Sequence, residues 1–318
     1  MRSPRAALLV VALVLSVPLH AAEPPAASPS RDVEVERQLD QAMSAKDWAR
    51  AVALAEELNG PIEERHVASL HRIARLHALL GHGKEAYEWL KRAADAGVVD
   101  VYDVRKDEAF AFLRGDERFK ALLRAMWVKA YVAMLERPER EGFQMPGKVM
   151  EALAFRAGER VADVGAGSGY FTLRVAKAVG PAGSVLAVDI APELLDHLAG
   201  RARDAGLSNV KTQLVKKDDP QLPPRGVDTV LMVDMLHYVK APDRGAYAKK
   251  LAAGLAPGGR VVVVDYVPKT PEERPWGPPP EQNMSRAEVD EAMAAAGLVP
   301  AKAHDFLPEQ FFVEYRAR

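Results

Sequence analysis

Hydrophobic positions follow different periods in the two parts of the chain. Between residues 32 and 127, apolar side chains recur three and four positions apart, as at Leu70, Ile73, Ala74 and Leu80, which is the spacing of one helix face. From residue 128 onward, short β-branched runs alternate with helical stretches, as in a parallel sheet covered by helices. The pattern predicts an all-α domain at 32–127 and an α/β domain at 128–318.

Seven runs in the second part are predicted to be strands. Five of them are RVADV, SVLAVDI, VKTQLV, VDTVLMVDM and RVVVVDYV, and a closing antiparallel pair follows as LVPAKAHDF and QFFVEYRA. A helix is expected from Ser285 to Ala296, because Ser285 and Glu288 have the spacing of a capping box. We therefore expect a doubly wound, Rossmann-like, mostly parallel seven-stranded sheet with an antiparallel final strand.

The N-terminus has the pattern of an export signal. Residues 1–22 combine two early arginines, an apolar run at 6–19 and small residues at Ala21 and Ala22, which predicts a Sec-type signal peptide. The run is shorter than the roughly 20 residues of a membrane span, and an uncleaved anchor is the alternative. Either interpretation predicts a periplasmic or secreted protein. Residues 23–31 are Pro-, Ala- and Ser-rich and are predicted to be a disordered linker. No span is expected in the mature chain.

Two segments of the helical part are similar to each other. KDWARAVALAEEL and GHGKEAYEWLKRAADAG align at an offset of 35 residues, with Lys46 and Ala51 opposite Gly81 and Ala86. This resembles tetratricopeptide repeats, whose period is 34 and whose small residues let paired helices pack closely. The resemblance implies either a groove for a protein partner or an appendage that stabilises the neighbouring domain.

Composition excludes several classes of function. The net charge is −1 and 27% of residues are charged, so no basic excess indicates a nucleic-acid partner. The chain has no cysteine, which excludes disulfides, thiolate metal sites and cysteine nucleophiles. The histidines of the helical part lack metal-ligand spacing, and no metal is expected.

The segment VADVGAGSGYF, residues 161–171, carries the most informative motif. A buried strand ends at Val164, three alternate glycines follow, and a helix is predicted from Tyr170 to about Val179. Glycines permit a tight turn and close approach of a ligand to the backbone, and the helix N-terminus supplies N–H donors. The G-x-G-x-G spacing differs from the G-x-G-x-x-G of dinucleotide binders, and the lysine of a P-loop is missing.

An acidic residue ends the next predicted strand. Asp189 lies 20 residues beyond Gly169, where a carboxylate can accept hydrogen bonds from both hydroxyls of a ribose. The alternative is an ordinary cap at the end of a strand.

Together these motifs resemble the class I S-adenosylmethionine-dependent methyltransferases. The resemblance covers about 190 residues and includes the DDPQLPP, VDTVLMVDMLHYV and LAPGGRVVVVDY segments. It is closest to a group of bacterial predicted exported methyltransferases, in which a PER-x-x-x-Q-x-P segment precedes the first strand and an LP-x-Q-[YF]-F segment ends the chain. Here these segments contain Arg140 and Gln144, and Gln310.

The resemblance implies S-adenosylmethionine as the cofactor. Asp163 and the glycine turn would hold its methionine end, Asp189 its ribose, and Asp218 or Asp219 its adenine amino group. The residues expected around the cofactor are Asp163, Gly165, Ala166, Gly167, Gly169, Tyr170, Asp189, Ile190, Asp218, Asp219 and Asp234.

The same resemblance implies the catalytic candidates Asp234, His237 and Tyr238, at the end of the fourth predicted strand. Because a sulfonium is already an activated methyl donor, positioning supplies much of the rate. A general base is needed only if the acceptor holds a proton at neutral pH, and His237, with an ordinary pKa of about 6.5, is the candidate. The alternative is that His237 only packs at the strand end. The proline-rich segment at 269–283, with Trp276 at its centre, is either a lid over the acceptor or an irregular surface loop.

We therefore expect methyl transfer from S-adenosylmethionine to an acceptor, a small molecule rather than a protein. The alternative is a catalytically inactive scaffold, because the donor is a cytoplasmic metabolite while the leader predicts export. The presence of both the glycine turn and Asp189 favours the enzyme. A nicotinamide-dependent dehydrogenase fits less well, because the glycine spacing is wrong.

Overall fold

The computed structural model describes residues 31–58, 67–97 and 99–318. The described residues form two compact units, one made of residues 31–58 and the other of residues 67–97 and 99–318. The predicted signal peptide, and the predicted linker up to residue 30, lie outside the described residues. Among the helices that the structure describes, none is long and apolar enough to cross a lipid bilayer.

The described part of the first unit is a helical hairpin. Helices α1 (Arg31–Ser44) and α2 (Trp48–Leu58) pack against each other. Leu39 and Ala51 are fully buried, which follows from their place on the apolar faces of the two helices.

The second unit begins with further helices. These are α3 (Val67–Leu79), α4 (Gly83–Ala96), α5 (Val101–Lys106), a 3₁₀ helix (Glu108–Leu113) and α6 (Glu117–Leu135). Their core includes the buried side chains of Leu70, Leu90, Phe110 and Phe119. The described residues before position 136 contain no strand, which confirms the all-helical prediction for this region.

The repeated segments occupy equivalent positions in their hairpins. Lys46 and Gly81 each lie in the turn before the second helix and have φ of 57° and 74°. Ala51 and Ala86, one turn into those helices, are both fully buried. The local geometry of the two segments is thus alike, while their identification as tetratricopeptide repeats stays a prediction.

One seven-stranded sheet forms the rest of the unit, after the short helices α7 (Arg140–Phe143) and α8 (Pro146–Leu153). Its strand order is β3-β2-β1-β4-β5-β7-β6. The first five strands are parallel, and β7 is antiparallel to both of its neighbours. This confirms the predicted fold. The strands are β1 (Arg160–Val164), β2 (Ser184–Asp189), β3 (Val210–Leu214), β4 (Val227–Val233), β5 (Leu255–Tyr266), β6 (Leu298–His304) and β7 (Gln310–Ala317).

Helices cover both faces of the sheet. They are α9 (Thr172–Val179), α10 (Pro192–Asp204), α11 (Arg244–Gly254) and α12 (Arg286–Ala294). Ser285 caps α12 and forms the predicted capping box with Glu288. Helix α9 begins two residues later than predicted, because the turn after β1 continues through Phe171.

The predicted domain boundary at Val128 falls inside α6, which is continuous from Glu117 to Leu135. The first half of α6 buries Phe119, Leu123 and Met126 in the helical core. The end of the helix packs against α10 of the sheet domain. The change in hydrophobic period near residue 128 therefore marks a change of packing partner along one helix, and not the end of an element.

The sheet has a topological switch point between β1 and β4. The chain leaves β1 toward β2 on one side, while β4 and β5 lie on the other side. Ligands of such folds bind in the crevice beyond the carboxyl ends of the strands at this point. The glycine turn, Asp189 and the segment after Val233 all lie at this edge.

A buried ion-pair network lies at the opposite edge of the sheet, near the amino ends of the parallel strands. The Arg260 guanidinium is 2.9 Å from Glu314 Oε2 and 3.5 Å from Glu159 Oε1. It also donates to the carbonyl oxygen of Leu153 and to Thr229 Oγ1. Because the charges are paired and hydrogen-bonded, the network is compatible with burial.

Candidate active site

The turn after β1 requires its glycines. Gly165, Gly167 and Gly169 have φ of 76°, 54° and 84°, a region that side chains disfavour. A Cβ on Gly165 would lie 2.4 Å from Met235 Cγ, and one on Gly169 would lie 2.8 Å from Leu198 Cγ. Both the backbone conformation and the close packing therefore exclude larger residues.

Asp189 is held at the edge of this turn. Its Oδ2 accepts a hydrogen bond from the Gly167 N–H at 2.9 Å, and its Oδ1 accepts one from the Ala191 N–H at 3.0 Å. Asp189 thus caps the strand end, as the alternative interpretation proposed. Each carboxylate oxygen has a second lone pair, and the side chain is half-buried, so the capping contacts leave acceptor capacity for a ligand.

Apolar side chains are exposed next to Asp189. Ile190 is 56% exposed and Leu214 is 55% exposed, and Leu214 is the register partner of Asp189 across β2 and β3. Both side chains are thus apolar and exposed within one residue of Asp189, along the chain or across the ladder. They are suited to the face of a flat, apolar ring.

The structure distinguishes the two aspartates that follow β3. Asp219 accepts from the Gln221 N–H at 2.9 Å and lies 3.3 Å from Lys250 Nζ, and these contacts hold its pKa below the usual value. The Asp218 side chain is exposed, and its carbonyl oxygen is the atom that contacts Lys250. Asp218 is therefore the more available of the two carboxylates.

Asp163 and Tyr170 are hydrogen-bonded to other side chains of the protein. Asp163 is buried and accepts a hydrogen bond from Thr172 Oγ1 at 2.5 Å. Burial raises its pKa to about 6, against the opposing effect of that hydrogen bond. The Tyr170 hydroxyl donates to Glu141 at 2.8 Å. Ala166 packs beneath the turn against Ala187 and Leu198. These contacts stabilise the turn and its surroundings, and a direct contact of these side chains with a cofactor stays a prediction.

Asp234 is the centre of a polar cluster that joins distant parts of the chain. Gln144 Nε2 donates to its Oδ2 at 2.9 Å, Gln310 Nε2 donates to its Oδ1, and Arg140 lies 3.5 Å away. The Asp234 backbone has a φ of 54°, which is unusual for a residue with a side chain. Desolvation raises the pKa of Asp234 to about 6, although the Arg140 charge opposes that shift.

This cluster brings together the two sequence segments that flank the domain, PER-x-x-x-Q-x-P and LP-x-Q-[YF]-F. Arg140, Gln144 and Gln310 are all buried. The sequence analysis noted both segments but did not connect them with Asp234. Since protein donors surround its carboxylate, Asp234 positions the strand end, and a direct catalytic role stays a prediction.

His237 forms a buried pair with Asp265, a residue that the sequence analysis missed. His237 Nδ1 lies 2.7 Å from Asp265 Oδ1, and the His237 backbone N–H donates to Asp265 Oδ2 at 3.2 Å. Asp265 Oδ1 also accepts from the Tyr266 N–H. Asp265 therefore fixes the ring orientation through Nδ1 and leaves Nε2 as the ring nitrogen that Asp265 does not contact. The signal that could have identified Asp265 is its position in β5, next to the end of β4.

Aromatic rings surround this pair. Tyr238 is 49% exposed and its ring centroid lies 4.2 Å from that of His237. Trp276, from the proline-rich loop, lies 4.6 Å from Phe143 and 6.1 Å from Tyr266, centroid to centroid. The loop is thus anchored on the aromatic residues beside His237, as a cover of the acceptor side would require. Its function as a lid stays a prediction.

These residues fit a nucleoside with an amino-acid tail, as expected for S-adenosylmethionine. The Ser168 hydroxyl is buried in the glycine turn without a hydrogen-bond partner among the described residues, and a buried polar atom of this kind calls for a polar ligand. Asp189 offers acceptors for a diol, and Ile190 and Leu214 offer an apolar surface for a base. No group of three or more potential metal ligands occurs in the described residues.

Comparison with known proteins agrees with this geometry. Residues 161–259 match the family model described as a methyltransferase domain. This part of the chain is therefore similar to a methyltransferase domain. The match begins in β1 and includes the glycine turn, Asp189 and His237, but ends before Asp265.

Similar curated proteins are methyltransferases. The chain is 32% identical over 129 residues to nocamycin O-methyltransferase of Saccharothrix syringae, covering 41% of this chain and 45% of that protein. It is 34% identical over 120 residues to demethylmenaquinone methyltransferase of Staphylococcus aureus, covering 37% and 47%. It is 32% identical over 138 residues to protein-L-isoaspartate O-methyltransferase of Aeropyrum pernix, covering 40% and 50%. The chain thus spans about half the length of these relatives.

A similar solved structure extends the match beyond the central strands. The crystal structure of a SAM dependent methyltransferase from Aquifex aeolicus is 26% identical and superposes with a TM-score of 0.53, covering 58% of this chain and 96% of that one. The α/β part therefore has the class I methyltransferase fold.

Proposed function

We propose that this protein transfers a methyl group from S-adenosylmethionine to a small-molecule acceptor. The observation that carries the proposal is the contact between the glycine turn and Asp189 at the switch point of a methyltransferase domain. This contact places a glycine backbone, which a ligand can approach closely, beside a carboxylate. Both are needed to bind a ribose-containing ligand that has no phosphate.

Each part of the donor has a candidate partner. The glycine turn and Ser168 would bind the methionine end, and Asp189 would accept hydrogen bonds from the ribose hydroxyls. Ile190 and Leu214 would contact the adenine, with Asp218 near its amino group. When bound, S-adenosylmethionine supplies a methyl group on a positively charged sulfur, and the electrons of the broken carbon–sulfur bond stay on that sulfur.

The His237–Asp265 pair supports an acceptor that loses a proton during the reaction. His237 Nε2 would take the proton from an acceptor hydroxyl as the oxygen–methyl bond forms, and Asp265 would stabilise the resulting imidazolium. An acceptor already unprotonated at neutral pH needs no such base. We therefore propose a hydroxyl-bearing acceptor and O-methylation.

The names of the relatives support a small acceptor. Nocamycin O-methyltransferase, aklanonic acid methyltransferase and demethylmenaquinone methyltransferase are named for small molecules, whereas protein-L-isoaspartate O-methyltransferase is named for a protein residue. The aromatic rings of Phe143, Tyr238, Tyr266 and Trp276 near His237 favour an acceptor with apolar or aromatic surface.

Donor binding is tested by thermal unfolding of the full chain with S-adenosylmethionine or S-adenosylhomocysteine. At 100 times the dissociation constant, a ligand that binds only the native state adds about 2.7 kcal/mol to the free energy of unfolding. For a protein of this size we expect the melting temperature to rise by about 5–10 °C. A cooperatively folded sample whose melting temperature stays unchanged with either ligand would contradict the proposal and favour an inactive scaffold.

The role of His237 is tested with an acceptor found by screening hydroxyl-bearing aromatic compounds for S-adenosylhomocysteine production. We expect His237→Gln to lower kcat by about 10²- to 10⁴-fold because the base is lost. Asp265→Asn should lower kcat by about 10- to 100-fold because the ring loses its charged partner. Donor affinity, measured by calorimetry, should stay unchanged in both variants.

His82→Gln is the matched control, since His82 is exposed and lies in the helical region. It should retain full activity. Activity retained within twofold in His237→Gln would show that His237 only packs at the strand end.

A further inference from the structure

A series of aromatic rings leads away from His237. The Tyr266 ring lies 6.0 Å from the His237 ring, centroid to centroid. The rings of Phe143 and Trp276 lie 6.2 and 6.1 Å from that of Tyr266, and 4.6 Å from each other. Phe143 and Tyr266 are buried, whereas Trp276 is 37% exposed. The series therefore begins at the proposed base and ends at a ring that a ligand can reach from solvent.

Arg137, between α6 and α7, lies against the far end of this series. Its guanidinium carbon is 5.2 Å from the ring centroid of Phe143 and 5.2 Å from that of Trp276. Both distances are within the range of about 6 Å at which a cation interacts with a ring face. Arg137 Nη1 also donates to the Met134 carbonyl oxygen at 3.3 Å, and the residue is half-buried. These contacts fix the guanidinium at the edge of the ring series.

The charge of Arg137 is not balanced by the protein. None of the residues that the structure describes forms an ion pair with it, in contrast to two other arginines of this region. Arg140 lies 3.5 Å from Asp234, and Arg274 lies 3.4 Å from Glu309. Because a half-buried charge without a counter-charge is costly, this position favours an anionic group on a ligand.

The guanidinium keeps donors for such a group. It carries five N–H groups, and Nη1 is the atom that donates to a described residue. A guanidinium held against ring faces still presents N–H groups at its edge, and these match the two oxygens of a carboxylate. Arg137 can therefore bind a carboxylate while it stays in contact with the rings.

We infer that Arg137 binds an anionic group of the acceptor, and that the acceptor is a hydroxyl-bearing aromatic acid. The apolar body of the acceptor lies along the rings of Tyr266 and Trp276, with its hydroxyl at His237 and its carboxylate at Arg137. This inference rests on the proposed function, since it names the substrate class of the same acceptor site. The sequence analysis assigned Arg137 no role.

The test is calorimetric titration of the full chain, saturated with S-adenosylhomocysteine, with matched hydroxyaryl acids and amides. The probes are para-hydroxybenzoate, a hydroxynaphthoate and a hydroxybiphenyl carboxylate, each paired with its primary carboxamide, so that the hydroxyl and the carboxylate are increasingly far apart. We expect the wild type to bind the best-fitting acid about 10- to 100-fold more tightly than its amide, because the acid forms a charge-assisted hydrogen bond. Arg137→Met should remove this preference and leave the affinity for S-adenosylhomocysteine unchanged.

Two further variants make the test specific. Arg137→Lys keeps the charge but loses the paired N–H groups, and we expect an intermediate preference for the acid. Arg92→Met is the matched control, because Arg92 lies 4.5 Å from the Trp89 ring centroid in helix α4 of the helical region. It should retain the full preference.

Three results would overturn the inference and leave the proposed function intact. The first is a wild type that binds none of the acids more tightly than the matching amide. The second is a preference for the acid that survives in Arg137→Met. The third is an equal loss of affinity for acids and amides in that variant, which would indicate that Arg137 only supports the rings. Failure of the wild type to bind S-adenosylhomocysteine would overturn the proposed function as well, so the two failures are distinguishable.

Discussion

Replacing Asp189 with alanine is expected to weaken binding of S-adenosylhomocysteine by about 100-fold or more. Hydrogen bonds to a charged group contribute about 1.5–3 kcal/mol each, and the ribose would make two of them with this carboxylate. Every 1.4 kcal/mol corresponds to about a tenfold change in the dissociation constant. The variant also loses the acceptor for the Gly167 N–H, so the turn itself becomes less well fixed. Isothermal titration calorimetry measures the effect.

Two further variants show whether the effect is specific. Asp189→Asn keeps an acceptor oxygen but no charge, and we expect its affinity to lie between those of the alanine variant and the wild type. Asp196→Ala removes an exposed carboxylate from α10 and should leave the affinity unchanged. Wild-type affinity in Asp189→Ala would exclude the ribose contact and reduce Asp189 to a strand-end cap.

Replacing Arg260 with methionine is expected to lower the free energy of unfolding by about 3–5 kcal/mol. The change removes the arginine of a buried network and leaves Glu159 without a cationic partner and Glu314 with His304 alone, which is the costly way to break such a network. The Glu314 side chain is 6% exposed, and that of Arg260 is 11% exposed. Urea unfolding monitored by circular dichroism measures the loss.

The acid dependence of stability should change in the same variant. Burial favours the neutral form of Glu314, but hydrogen bonds from His304 and Arg260 outweigh it and lower its pKa below the ordinary value of 4.5. The unfolded state therefore binds the Glu314 proton more tightly than the folded state does. Ionised Glu314 thus stabilises the fold above about pH 4.5, and this stabilisation is lost as the pH falls below that value. In Arg260→Met we expect stability to depend less on pH in this range, because the part of the Glu314 pKa shift that Arg260 causes is missing.

Arg160→Met provides the control at the same edge of the sheet. Arg160 pairs with Asp228 at 2.8 Å, but the two side chains are 44% and 32% exposed, and an exposed pair contributes about 0–1 kcal/mol. We expect a loss below about 1 kcal/mol. Equal losses in the two arginine variants would contradict the importance of burial.

Local rules account for what was predictable in the fold. All seven strands lie where apolar, β-branched runs occur, and α12 begins at the capping box of Ser285 and Glu288. The glycine turn and Asp189 were recognisable because a fixed spacing along the chain places them on adjacent parallel strands. Each of these features depends on residues close together in the sequence or on the period of the side chains.

The partners of the site residues were not predictable in the same way. Asp265 is 28 residues from His237, and Gln310 is 76 residues from Asp234. Nothing in the spacing of these residues indicates which carboxylate meets which histidine. The position of Val128 inside α6 was not predictable for a related reason, because both halves of α6 have helical periodicity and only packing shows that they contact different cores.

The sequence by itself therefore determined an all-helical region, a mostly parallel sheet and a glycine turn followed by an acidic strand end. It also predicted the export signal, which lies outside the described residues and stays a prediction. Only the tertiary structure decided that Asp265 orients His237 and that Asp234 binds Arg140, Gln144 and Gln310. The physical reason is that periodicity and turn chemistry act over a few residues, whereas these contacts form when the sheet brings distant strand ends to one edge.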